Sequence, residues 1–441
     1  MLAEVWAQLK VEVRAAAGGL LITVMMALTL VSDITGYVNF AWFAGVVGWF
    51  AVCLLFIDVK KAQRYQTALI AIVGMLLLVA GQLRDGSAPW TQAISSNTGL
   101  VTMLASVGFL RLIALSTDKM QPVHLPSGFP AFVKTLAGVS LFGSVINISA
   151  PILFADLLHK HGALGRLASQ SITRIFTSTA TWSPFFAGMA AVLINVPQMR
   201  ISFVILVCFP FAVLSFLVVL LEVRIRYWQQ IKDFKGYPVN FYNLWIPAAL
   251  AAMILILTRL FPEWSVLTRI SISALSLSAV VLFIRQGLNA TRTLSSFVVE
   301  GLPTMINELQ LFLAAGVLAA GLVTTINDGF LPTLSGFTAS SASLLLGVMI
   351  LLAVAGLHPV VTISAATPLV MTLSPAPDLL AVCYLLAWGL GTCASPLSGT
   401  HLVFQGRYGI PSWQGALRNW PYVLVMYGVA VFFLFTIERF L

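Results

Sequence analysis

Apolar runs of about the length needed to cross a bilayer recur from one end of this chain to the other, and they leave it few ways to fold. A hydrocarbon core is roughly 30 Å thick, so a helix needs on the order of 20 apolar residues to span it. Of the 441 residues, 59% are hydrophobic and only 9% charged. A soluble domain carries about 25% charged residues, so this chain cannot clothe a water-facing surface. The sequence therefore reads as one all-α polytopic membrane domain, with the lipid bilayer as its solvent.

Candidate spans cover 18–32, 38–57, 67–83, 97–116, 131–156, 201–222, 243–261, 267–285, 304–325, 338–373 and 420–437. The segment 338–373 is too long for one straight helix, and Gly356, His358 and Pro359 mark a break near its middle. Two further segments, 163–197 and 377–411, are less uniformly apolar and rich in Ser, Thr, Gly and Pro. These two read as re-entrant hairpins, giving about 11 transmembrane helices plus two hairpins. Residues 1–17 mix Glu4, Lys10, Glu12 and Arg14 with no clear cleavage pattern after them, so the first helix is expected to stay in the mature protein.

The net charge of +9 is topological in this setting, not a sign of nucleic-acid binding. Basic residues cluster in short loops: Lys60, Lys61 and Arg64 in one, Arg224, Arg226, Lys232 and Lys235 in another, Arg285 and Arg292 about a third. Eleven crossings with two non-crossing hairpins place all three loops on one side, which the positive-inside rule makes cytoplasmic. The expected location is the cytoplasmic (inner) membrane, N-terminus cytoplasmic and C-terminus outside. The loop holding His159, Lys160, His161 and Arg166 falls outside in this scheme and is discordant.

The chain also repeats itself. Ser183-Pro184 and Ser395-Pro396 are 212 residues apart, and Asn97 and Asn307 are 210 apart. Between these markers the order is span, broken span, hairpin, span, and the charge-derived topology makes the two copies inverted. The organisation is then 1–96 as N-terminal scaffold helices, 97–222 as the first inverted repeat, 223–303 as a cytoplasmic loop with linking helices, and 304–441 as the second repeat.

The hairpin tips carry the polar chemistry. The first reads T-S-T-A-T-W-S-P-F-F-A-G over 177–188 and the second G-T-C-A-S-P-L-S-G-T over 391–400. Ser caps free N–H groups, and Pro at a first helical position gives up an N–H that had no partner. Each tip is therefore expected to present a helix N-terminus, suited to a carboxylate or oxyanion, with Ser183, Pro184, Ser395, Pro396, Gly399 and Thr400 around it. Released carbonyls with Thr179, Thr181, Thr392 and Ser398 suit a hard cation, so Na⁺ is a candidate coupling ion; no other cofactor is expected. Small polar residues also permit close helix packing, which a single tip does not distinguish from a site. In the broken spans Asn147 and His358 fall 36 and 37 residues before the two Ser-Pro steps and so correspond. Among intramembrane ionisable residues Arg111, Glu300, Arg174 and Glu308 stand out, with His401 just past the second tip; Arg174, Glu308 and His401 are candidates for coupling or charge.

Cys53, Cys208, Cys383 and Cys393 lie in apolar runs without disulfide or metal-ligand spacing, so no metal site is expected. No G-x-x-x-x-G-K-[ST], H-E-x-x-H or G-x-S-x-G motif occurs, so the chain is not expected to be an enzyme. With inverted halves, broken spans and Ser/Thr/Pro tips on the page, the layout resembles the ion transporter superfamily. That group includes divalent anion:sodium symporters, arsenite permeases, NhaD-type antiporters, gluconate permeases and the membrane subunits of TRAP transporters. The resemblance covers roughly 97–437. The symporters carry Ser-Asn-Thr at their tips, whereas this chain's Ser96-Asn97-Thr98 opens a span. The resemblance implies a tip role for Thr181, Ser183, Pro184, Ser395, Pro396, Ser398 and Gly399. The leading expectation is a secondary transporter of a small anion, coupled to Na⁺ or H⁺ and working by alternating access as a homodimer. Its rivals are a cation/proton antiporter of the same superfamily, a membrane-embedded enzyme and an assembly subunit.

Overall fold

The computed structural model describes residues 2–59, 61–114, 125–160, 164–237, 245–325 and 336–441, almost all of them helical. The first helices are α1 (Leu2–Thr35), α2 (Val38–Leu55), α3 (Lys61–Asp85), α4 (Trp90–Ser95), α5 (Thr98–Gly108) and α6 (Arg111–Ala114). Next come α7 (Gly128–Ile146), α8 (Ser149–His159), α9 (Arg166–Thr179), α10 (Ala187–Asn195), α11 (Ile201–Arg226) and α12 (Trp228–Lys232). Then follow α13 (Trp245–Leu260), α14 (Val266–Gln286), α15 (Asn289–Ser296) and α16 (Ile306–Val323). The last are α17 (Ala339–Val354), α18 (Pro359–Met371), α19 (Pro377–Ala394), α20 (Gly399–Tyr408) and α21 (Ser412–Glu438). Among the described residues ten helical stretches are long and apolar enough to cross a membrane. The chain is an all-helical polytopic membrane protein, as its composition requires.

Two compact units divide it. Unit 1 comprises 1–115, 248–333 and 364–369; unit 2 comprises 116–247, 334–363 and 370–441. In unit 1, α1 packs on α2, α5 on α14, and α3 along α16. Asn97 adopts φ 64° just before α5, and its amide donates to the Phe312 carbonyl at 2.8 Å. Between α15 and α16 the helix passes through a π segment, Phe297–Gly301, and a 3₁₀ segment, Leu302–Met305. Pro303 lacks the N–H that a regular helix would need there.

Unit 2 holds the interruptions. The segment 131–156 is two helices, α7 and α8, parted at Asn147 with φ 50°. The segment 338–373 is likewise α17 and α18, parted at Gly356 (φ 102°) and His358. α7 packs against α8, and both pack against α9.

The segments 164–197 and 377–411 run alongside each other in opposite directions. Ser169 and Thr173 of α9 share a crevice with His401 and Phe404 of α20. Farther on, a Cβ on Gly389 of α19 would lie 2.8 Å from Thr181 Cγ2 and 3.1 Å from the Thr177 carbonyl oxygen. Beyond the end of α10, Arg200 binds Asp378 at the start of α19, Nε to carboxylate at 2.6 Å. The two segments thus meet at three points, in antiparallel order. At the opposite end, Arg407 and Tyr408 bind Asp156 of α8 at 2.8 and 2.6 Å.

Arg174 ties α9 to two neighbours. It is 3% exposed, donates from Nε to Asn419 Oδ1 at 2.9 Å and from Nη2 to the Arg418 carbonyl at 3.2 Å, and pairs through Nη1 with Glu222. The guanidinium also lies 4.9 Å from the centroid of the Tyr422 ring. Removing one partner of a buried pair strands the other charge, at a cost of about 3–5 kcal/mol. Arg174→Leu is therefore expected to lower the thermal unfolding temperature of the detergent-solubilised protein, and Arg174→Leu with Glu222→Leu to recover most of the loss. Equal stability of the single variant and the wild type would show that the pair stays hydrated.

Candidate functional site

In a membrane interior a helix is interrupted only where protein or a cavity supplies partners for the released backbone groups. Unit 2 brings four interruptions together, and they partner one another. Ser183 Oγ, between α9 and α10, donates to the Ser144 carbonyl near the end of α7. Asn147, between α7 and α8, donates from Nδ2 to the Phe185 carbonyl at 3.1 Å. Gly356, between α17 and α18, sits where a Cβ would meet Leu397 Cδ1 at 2.9 Å, and Gly399 lies against Ile148. The His358 ring meets the Trp388 ring of α19 edge-on, centroids 5.2 Å apart, while its Nδ1 accepts from Val360 N at 3.2 Å and so caps α18.

The Ser-Pro steps act differently from the sequence expectation. Neither proline opens a helix: α10 begins at Ala187 and α20 at Gly399, three residues after Pro184 and Pro396. Instead each serine hydroxyl accepts the N–H two residues on, Ser183 from Phe185 at 3.2 Å and Ser395 from Leu397 at 3.3 Å. Both copies therefore form the same hydroxyl-stabilised turn, and the helix starts after it. Pro fits here because a turn wants its fixed φ and needs no N–H from it.

The helices that follow lack side-chain caps at Phe186 and Ser398. In α20 the first N–H bonded back into the helix is Leu402, to the Ser398 carbonyl at 3.0 Å. The amides of the preceding residues carry the partial positive charge of the helix start. Gly399 is exposed there, and Asn147, His358, Pro184 and Pro396 are half-buried. Thr179, Thr181 and Thr392 each donate their hydroxyl hydrogen to a carbonyl one turn back, at 2.9, 2.8 and 2.7 Å. Their oxygens keep lone pairs suited to a cation, while the helix starts suit an anion. Ser140 Oγ adds a contact to Thr179 at 3.2 Å.

Of the candidate residues, Thr179, Thr181, Ser183, Pro184, Thr392, Ser395, Pro396, Ser398, Gly399, Thr400, Asn147, His358, Arg174 and His401 all lie in unit 2. Arg174 and His401 are bound up in protein hydrogen bonds rather than directed at open space. Glu308 belongs to unit 1, as do Arg111 and Glu300, and all three side chains are exposed. Among the described residues no group of three or more His, Cys, Asp or Glu side chains could hold a metal ion. Sequence reasoning missed Glu222 and Asn419, the partners of Arg174. Their only signal was the rarity of a carboxylate or an amide inside otherwise apolar helices.

No protein-family model and no curated protein matches the chain. The crystal structure of the YdaH transporter of Alcanivorax borkumensis, described as having an unusual topology, is similar to it with a TM-score of 0.50. The two are 14% identical, and the alignment covers 85% of this chain and 98% of the other. At that identity the likeness is one of fold.

The approach of the two interrupted helices at Gly389 gives a direct test of the arrangement. Gly389→Val must displace Thr181 or the α9 backbone, so it is expected to destabilise by about 1–3 kcal/mol. Gly406→Ala, whose Cβ would meet nothing within 4 Å, serves as the neutral control. Thermal unfolding that leaves both variants unchanged would show that α9 and α19 do not touch at this point.

Proposed function

We propose that the protein is a secondary active transporter of a small anion, a carboxylate or an oxyanion, driven by Na⁺ or H⁺ and working by alternating access. The observation that carries this reading is the meeting, in unit 2, of two uncapped helix starts with four interruptions of the membrane helices. Two N-termini at mid-helix offer fixed N–H donors to an anion without a full buried cationic charge. Hydroxyl and carbonyl oxygens beside them offer a hard cation its ligands, so substrate and coupling ion would bind as neighbours and lower each other's electrostatic cost. The fold likeness to a transporter agrees with this reading.

We further propose a revised course through the membrane, which the packing of α7 on α8 supports. In it α7–α8 and α17–α18 turn back, while α9–α10 and α19–α20 cross as interrupted helices. The number of crossings stays at eleven, so the N-terminus remains cytoplasmic, the C-terminus outside, and the membrane the inner one. The exchange carries the loop with Lys160 and Arg166 to the cytoplasmic side, which removes the discordance with the positive-inside rule.

Purified protein in liposomes is expected to accumulate a labelled carboxylate or oxyanion when a Na⁺ or H⁺ gradient is imposed. Ser183→Ala and Ser395→Ala should each weaken apparent affinity about tenfold, the equivalent of roughly 1.4 kcal/mol lost from the anion's hydrogen-bonded surroundings. Absence of uptake across a broad anion panel under both gradients would sink the substrate class.

The course through the membrane is tested separately, in a variant lacking the native cysteines. With an impermeant maleimide on intact cells, Gln198→Cys should label and Lys160→Cys should label only after permeabilisation. Labelling of both from outside would restore 163–197 as the segment that turns back.

A further inference from the structure

We propose that Arg174, acting through Asn419, fixes His401 as a neutral hydrogen-bond donor that holds the Ser395–Ser398 break in shape. His401 is then a positioning residue of the site and not its proton carrier. The proposal rests on the reading of that break as part of the substrate site.

The assignment follows from what each group is able to donate. An arginine Nε–H only donates, and Arg174 Nε lies 2.9 Å from the Asn419 side-chain oxygen. The Asn419 amide is thereby oriented, and its Nδ2, a donor, faces His401 Nε2 at 3.3 Å. His401 Nε2 must therefore accept, which leaves the ring proton on Nδ1. The other side of the ring gives the same answer independently: Nδ1 lies 2.9 Å from the Ser395 carbonyl, which only accepts. Ser398 Oγ, also 2.9 Å from Nδ1, shares that proton. Both serines belong to the interruption between α19 and α20.

The ring is held from a third direction. Gly415 and Asn419 stand one turn apart on α21, and a Cβ on Gly415 would lie 2.6 Å from His401 Cδ2. A second proton on Nε2 would point at the donor hydrogens of Asn419. Of the charged groups, Arg174 on α9 reaches the ring through Asn419, and Arg418 on α21 lines the same crevice. Glu222 is already paired with Arg174 and Arg226, and Asp156 with Arg407 and Tyr408. The hydrogen bonds of the ring run instead to Ser395, Ser398 and Asn419.

The chain has five histidines, so ¹⁵N-histidine NMR of the whole protein in detergent is tractable, with His401→Asn assigning the signal. His401 is expected to show a protonated Nδ1 and a bare Nε2 across about pH 6 to 8, where a free histidine titrates. Asn419→Asp, which offers Nε2 an acceptor, should bring out the doubly protonated ring and shift the pH profile of anion uptake from that of the wild type. His401→Asn, whose amide N–H replaces Nδ1–H, should keep uptake within about twofold; His401→Leu should lose about tenfold, one charge-independent hydrogen bond and its geometry.

A proton on Nε2 in the wild type, a ring that titrates in that range, or an unchanged signal in Asn419→Asp would overturn the proposal. If Asn419→Asp does not fold, the wild-type spectrum alone decides the tautomer. If the wild type transports no anion, the reading of the site fails while the NMR result still stands or falls by itself.

Discussion

Backbone N–H and C=O groups have no water to turn to inside a bilayer, and each one left unpaired costs several kcal/mol. An interrupted membrane helix releases several such groups at once. This chain interrupts four helical segments in unit 2, at Asn147, at Ser183–Phe186, at Gly356–His358 and at Ser395–Ser398. What makes them tolerable is that they are placed against one another. The Asn147 amide serves the Phe185 carbonyl, Ser183 serves the Ser144 carbonyl, and His401 serves the Ser395 carbonyl. The polar region is therefore a condition for the breaks as well as their product.

Charge is handled by two different rules in the same unit. Arg174 is deeply buried, and each nitrogen of its guanidinium meets an acceptor while the Tyr422 ring lies against it. Such a group stabilises little net of its desolvation, yet it tolerates few rearrangements, because any lost partner leaves an unpaired charge. The pairs Arg200–Asp378 and Arg407–Asp156 keep an arginine more than half exposed in each case. Exposed pairs contribute on the order of 1 kcal/mol or less, so their weight lies in defining neighbours. One joins the residues after α10 to the start of α19; the other joins the end of α20 to α8.

Parts of this were legible in the residues. The breaks at His358-Pro359 and at the two Ser-Pro steps were marked by Pro beside a His or Ser able to serve the released backbone. Pro alone does not break a helix here, since Pro210, Pro368 and Pro421 stand inside helices. The correspondence of Asn147 with His358 was readable from spacing, and both do stand at interruptions. The roles of Arg174 and His401 were not. A buried arginine in sequence offers itself equally as an anion ligand or a snorkelling charge, and only Glu222 and Asn419, each about 50 or more residues distant in the chain, reveal that its donors are already committed. The Ser-Pro turns were half legible: the residue types forecast a break, but the helix restart at Ala187 and Gly399 depends on how Phe185 and Leu397 pack.

By itself, then, the sequence determined that the chain is a polytopic helical membrane protein and marked the places where its helices do break. Both properties come from local physics, the hydrophobicity of a window and the backbone limits of Pro and Gly. Only the tertiary structure decided which distant parts of the chain meet around each break. A helix that stops near Ser183 gives no local sign of the neighbours it takes. They are seen at Gly389, whose missing side chain lets α9 lie against α19, and at Asp378, which receives Arg200 beyond the end of α10. Those partners are some 180 to 210 residues away in the chain, so no local pattern in the sequence could carry the answer.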